Sequence, residues 1–392
     1  MPLRESLLQR VEILLSLYPP SFLLAMMANF LFFASMHLLL TPLPLYVKEV
    51  GGLPSQIGLV MGVFALTAIL ARPIVGRLVD TWGRRGTLLL GAAIFTLSPL
   101  LYTLSRSVPS LLLSRMVHGL GLSCFTTAYI VLVADLVPPS RRGEAIGVAG
   151  ISTPVSVMIA PALGASLMNL LGFRPLFLSA ALTAALSGLI LLFLREPRGE
   201  DDQDEGRSSL IAVLRQRGVW VPSLAAGLAA ITYGSLITFL PLFATERAIG
   251  NAGLFFTAYA VSTIAVGWPI GRLSDLVGRR NVVLPALAVL APIFWFLTRV
   301  QGLAGLTGVG LLYGVGFGSA RLALNALVMD EAPLEVRGAA ASVLFASFDL
   351  GVGVGSFVLG LVADGVGYGG MYGVVAGISL MGAALFAALM RG

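Results

Sequence analysis

The chain has 392 residues, of which 57% are hydrophobic and 11% charged, a balance that belongs in lipid and not in water. Its formal charge of +6 comes from arginines scattered over short loops. There is no basic, aromatic-interleaved face of the kind that grips nucleic acid, and the single cysteine, Cys124, excludes disulfides and cysteine-based metal sites by count.

In chain order, residues 1–19 carry Arg4, Glu5, Arg10 and Glu12 among leucines and end at Pro19-Pro20 without a small-residue cleavage site. They read as a segment retained on the cytoplasmic side, not a cleaved signal. A helix needs ~20 apolar residues to cross ~30 Å of hydrocarbon. Segments of this kind fall at 20–47, 54–75, 86–104, 109–134, 144–169, 174–194, 219–244, 252–271, 281–299, 302–329, 339–362 and 371–390. The expected fold is therefore an all-α polytopic membrane protein with twelve transmembrane helices. They form two pseudo-symmetric six-helix bundles, 1–194 and 219–392.

The interval 195–218 between the bundles holds the acidic run Glu200 to Glu205. Too little apolar surface is available there to repay ordering, so it reads as a flexible cytoplasmic linker. An even number of spans puts both termini on one side. Of the 25 Lys and Arg, 18 fall at one face and 5 at the other, leaving Arg115 and Arg321 inside the membrane. Basic residues resist translocation, so the rich face is cytoplasmic and the chain a multi-pass protein of the cell (inner) membrane.

The two halves repeat each other. GRLVDTWGRR at 76–85 returns as GRLSDLVGRR at 271–280, an offset of 195 residues. The same offset matches Gly119 with Gly314, Gly121 with Gly316, Asp135 with Asp330, Pro138 with Pro333, Arg142 with Arg337 and Gly143 with Gly338. With GxLxDxxGRR after the second helix and again after the eighth, the chain resembles the major facilitator superfamily along nearly its whole length. Within it, the chain resembles bacterial proton-coupled efflux members. The resemblance implies two bundles that rock about a central site, which is alternating access.

In that reading Gly76 and Gly83, with Gly271 and Gly278, supply tight turns. Arg84, Arg85, Arg279 and Arg280 hold the cytoplasmic interface. Asp80 and Asp275 are implied to be gating latches that meet a helix start in the opposite half, near Ala339 and Glu144 respectively. A helix N-terminus stabilises a carboxylate by ~0.3–1 kcal/mol when exposed and up to ~2 when partly buried. Glu144 already sets an acid at the second of these ends, which makes that latch the less secure.

Charges inside the spans are the other candidates. Arg115, in a stretch resembling the family's fourth-helix motif, is implied in proton coupling or in recognising substrate charge, because an unpaired guanidinium costs at least ~2.5–3.5 kcal/mol there. Arg321 and Asp349 lie at one depth on neighbouring helices and are expected to pair, with Asp349 the first choice for a proton carrier. His118 and His37 are weaker candidates for a relay. Asn29, His37, Thr126, Tyr129, Tyr233, Tyr313 and Asn325 could turn polar groups into a cavity. The helix-five run Ala160-Pro161-Ala162-Leu163-Gly164 partly matches the antiporter signature of the family.

No phosphate-binding loop, HExxH or other metal-ligand cluster is present, so no cofactor or metal is expected and an enzyme is not. The expected partners are a small-molecule substrate, protons and the bilayer, with the protein a monomer that does not bind nucleic acid. The expected activity is proton-coupled efflux of a small amphipathic compound, neutral or anionic. The alternatives on the same fold are an uptake symporter for a sugar or organic acid, or a lipid flippase.

Overall fold

The computed structural model describes residues 18–138, 141–194, 216–333 and 336–390. The amino-terminal segment 1–17 and most of the acidic interval, 195–215, lie outside these residues.

Helices run as α1 (Pro20–Glu49, interrupted at 39–41 ahead of Pro42), α2 (Pro54–Trp82), α3 (Arg84–Leu104), α4 (Val108–Asp135), α5 (Arg142–Leu171), α6 (Phe173–Leu192), α7 (Arg217–Glu246), α8 (Gly253–Val277), α9 (Arg279–Leu297) and α10 (Leu303–Glu331). The final run, Arg337–Met390, is two helices, α11 (337–366) and α12 (368–390), because Gly367 stands between them at φ 71°. Among the described residues the fold is thus twelve helices long enough and apolar enough to span a membrane. Large apolar side chains such as Leu70 (76% exposed) and Leu170 (80% exposed) face outward, as a surface in contact with lipid tails requires.

The sequence repeat is a structural repeat. Gly83 (φ 82°) and Gly278 (φ 91°) divide α2 from α3 and α8 from α9, and Gly172 (φ 85°) and Gly367 divide α5 from α6 and α11 from α12. Only glycine adopts this left-handed backbone without strain. A Cβ on Gly119 would sit 2.5 Å from the Phe64 carbonyl oxygen, and one on Gly314 would sit 2.4 Å from that of Tyr259. Both pairs of positions are related by the same 195 residues.

The repeat also corrects the sequence reading. Gly76, Asp80, Gly271 and Asp275 do not belong to loops; they lie inside α2 and α8, which continue to Trp82 and Val277. The turn is essentially one glycine wide. Arginines on a last helical turn can lay their stems on apolar surface and keep their charge in the interface, which is why the helices outrun their apolar stretches.

Backbone-close contact between the bundles lies on one side. On the arginine-poor side α2 meets α11: a Cβ on Gly58 would fall 2.2 Å from the Ser356 oxygen, and one on Gly360 would fall 2.6 Å from that of Pro54. Ser55 N–H donates to Asp364 Oδ1 (3.2 Å). Likewise α5 meets α8, where Thr257 donates to the Met158 carbonyl (2.7 Å) and Asn251 Nδ2 to Ala162 O (3.1 Å). Towards the arginine-rich ends of the same four helices, a Cβ on Gly76, Gly147, Gly267 or Gly338 would meet nothing within 4 Å. The bundles are closed on the arginine-poor face and parted on the arginine-rich one.

Candidate functional site

The repeated segments are braced within their own bundles. Arg84 Nε donates to Asp135 (2.9 Å) and Arg279 Nε to Asp330 (3.0 Å), one repeat apart. Arg85 reaches the carbonyls of Leu191 (3.2 Å) and Leu192 (2.6 Å), which caps the end of α6. Arg280 pairs with Glu331 (2.8 Å). Asp275 pairs with Arg279 one turn along (2.5 Å), and Asp80 is exposed. Among the described residues neither aspartate touches the opposite bundle, as follows from the parted arginine-rich face. Glu144 is held by Arg141 (3.0 Å) and by the Tyr18 hydroxyl (2.9 Å), so the start of α5 already carries its acid.

A cavity of about 470 Å³, counted with the solvent space at its mouth, opens between α7, α10 and α11. Ala226 and Ala229 give it room. Phe317, Phe345 and Phe348 give it aromatic walls, with Arg321 and Asn325 one helical turn apart on α10. Arg321 lies ten residues from the end of α10, so at 1.5 Å per residue it stands ~15 Å from the arginine-rich face, near the middle of a ~30 Å bilayer core. Its guanidinium lies 5.6 Å from the Phe348 ring centre. Tyr233 stacks on Phe317 (5.5 Å) behind the wall.

Asp349 does not pair with Arg321. Its Oδ2 takes a 2.5 Å bond from Arg72 Nη2 of α2, so the ion pair crosses between the bundles, with the side chains 30% and 35% exposed. Arg321 is near enough for its charge to act on the carboxylate, without a bond. Equal depth made Arg321 the expected partner, but α11 turns this face to α2. Arg72 was missed because the second helix was ended at 75, which placed this arginine at the interface; the helix runs ten residues past it, some 15 Å.

Of the remaining candidates, few reach the cavity. Arg115 is 5% exposed, lies over the Phe64 ring (4.0 Å) and touches His118 (3.4 Å), whose Nδ1 also meets the Tyr102 hydroxyl (2.9 Å). The cluster is inside the amino-terminal bundle, and no carboxylate reaches it among the described residues. Asn29 and His37 tie α1 to α5, through Ser152 (2.5 Å) and Ser156 (2.7 Å). Tyr313 is fully buried against Thr232 (2.9 Å), Tyr129 is buried, and Thr126 bonds back to Leu122 O. Asn29, His37, Tyr313 and Thr126 thus serve as bonds between and along helices. The described residues contain no cluster able to hold a metal ion.

The chain is 26% identical to multidrug resistance protein MdtG of Citrobacter koseri, covering 92% of each chain. It is 23% identical to the synaptic vesicular amine transporter of Bos taurus, over 84% of this chain but only 65% of that protein's length. A crystal structure of a bacterial homologue of the human lysosomal transporter Spinster, inward-facing and unoccupied, superposes with a TM-score of 0.80 at 18% identity, covering 95% of this chain and 96% of that one. Identity that low speaks for the fold alone. The Major Facilitator Superfamily profile matches twice, over residues 25–251 and 248–392, once for each bundle of the repeat, and the chain belongs to that superfamily.

Proposed function

We propose that the protein is a secondary active transporter that works by alternating access and is driven by protons. The observation that carries this reading is the one-sided contact between bundles, backbone against backbone on one face and open space on the other, together with a mid-depth cavity in the carboxy-terminal bundle. The arginine-rich face is then cytoplasmic by the positive-inside rule. The conformation described is the inward-open one, in a monomer of the cell membrane with both termini in the cytoplasm.

Closure of the cytoplasmic face would bring Asp80 to the start of α11, where free amides and the helix dipole favour an acid. Asp349 is the proton carrier in this scheme. Its bond to Arg72 links the bundles at mid-depth, so neutralising the carboxylate frees the bundles to move. The cavity walls are aromatic and carry one cation and no acid, which suits a small amphipathic compound, neutral or anionic.

Export of a drug-like molecule or metabolite is supported by the names of relatives such as MdtG. A second reading, uptake together with protons, is favoured by the position of Asp349 beside two arginines. The test is reconstitution into liposomes with an imposed pH gradient and a panel of amphipathic dyes and organic acids. Uphill movement of any member that collapses with the gradient is expected. Movement indifferent to the gradient would overturn proton coupling, and its absence for every member would overturn the transporter reading.

A further inference from the structure

The charges around the cavity bear on what is carried and in which sense it is coupled, given the reading of Asp349 as proton carrier. The ionisable groups that face Asp349 are Arg72 from α2 and Arg321 from α10; α7, the third helix packed here, brings only the phenol of Tyr233. Arg321 opens into the cavity beside Asn325 and the faces of Phe317, Phe345 and Phe348. A guanidinium with a neighbouring amide recognises a planar acid group through paired hydrogen bonds, and the phenylalanine faces accept a flat ring.

We propose that the substrate is an aromatic organic anion whose acid group binds Arg321, and that it enters together with a proton on Asp349. A second acid brought beside Asp349 repels the carboxylate and draws on the same two guanidinium groups. Both effects favour the neutral form of Asp349. Reciprocity requires the proton to favour the anion by the same factor. The anion at Arg321 and the proton on Asp349 are therefore held at once and cross in the same direction. A cationic substrate would reverse the sign, displacing the proton and crossing against it.

The test uses the full chain in detergent with permanently charged probes, so that the ligand itself does not titrate: a series of one- to three-ring aromatic sulfonates, their neutral sulfonamides and quaternary ammonium counterparts. Thermal stabilisation by the sulfonates above the other two series is expected, with proton uptake from weak buffer on binding and affinity rising as pH falls, by up to about tenfold per pH unit. Asp349→Asn should bind the sulfonates with no proton uptake and a flat pH profile. Arg321→Gln should lose the preference for sulfonate over sulfonamide while keeping the fold, read by its melting curve without ligand. Preference for the ammonium series, failure of every sulfonate to bind, or sulfonate binding that releases protons would overturn the proposal. Failure of the transporter reading is distinguishable, because it appears in liposomes as no uphill movement of any probe class.

Discussion

The seam between α2 and α11 offers a direct test of the proposed rocking motion. Gly58→Ala would put a methyl carbon 2.2 Å from the Ser356 carbonyl oxygen, whereas ordinary contact begins at 3.4 Å. The helices must part by about 1.2 Å, since the obstacle is backbone and cannot rotate away. Overpacking of this kind costs ~1–3 kcal/mol. Because the cost falls only on the form closed at this face, it shifts the equilibrium towards the opposite form by roughly 5- to 150-fold. The assay is pulsed electron paramagnetic resonance with spin labels at Leu53 and Val366, each 59% exposed at the arginine-poor ends of α2 and α11. The only native cysteine, Cys124, is buried. Longer interspin distances are expected in Gly58→Ala, and none in a Gly377→Ala control, where a Cβ meets nothing within 4 Å. Unchanged distances in the glycine variant would refute the claim that this seam holds the closed face.

Asp349→Asn should abolish uphill transport in liposomes while leaving substrate exchange across symmetric pH intact; persistent uphill transport would remove this aspartate as carrier. Asp80→Asn should enrich the form open at the arginine-rich face, seen as a narrower distribution of distances between labels on the arginine-rich ends of α2 and α11, and an unaltered distribution would dismiss the latch. Arg115→Met should keep or raise the melting temperature in detergent, because a buried cation without a carboxylate costs at least ~2.5–3.5 kcal/mol on insertion scales; a large loss of stability would mean that the contacts with Phe64 and His118 outweigh that cost.

The fold was legible because a bilayer leaves the chain few options: apolar runs of spanning length, arginines sorted to one face, and a repeat fixed at 195 residues. The repeat extends to bonds the sequence reading did not name, since Arg84–Asp135 and Arg279–Asp330 are one interaction made twice. The site was less legible. Depth can be counted along a helix, but the partner of Asp349 depends on which helices of opposite bundles touch. That information lay in Gly58, Gly62, Gly353 and Gly360, whose missing side chains let α2 and α11 approach. Glycines in a span look alike in sequence whether they admit a neighbouring backbone or, like Gly377, face open space. The polar candidates Asn29, His37 and Tyr313 went to interhelical bonds because a buried donor in lipid must find an acceptor wherever it lies.

The two faces of the molecule are built from different chemistry. On the arginine-poor side the described bonds between α2 and α11 and between α5 and α8 use amides and hydroxyls, with Asp364 the one charged group. The opposite face carries the ion pairs of Arg84 and Arg279 with Asp135, Asp330 and Asp275, each within one bundle. Dissolved ions screen exposed charges beyond ~10 Å at 0.1 M and act little on amide dipoles in contact. In the proposed cycle, salt would therefore bear on the arginine-rich face and act little on the arginine-poor seam, whose closest contacts are backbone against backbone.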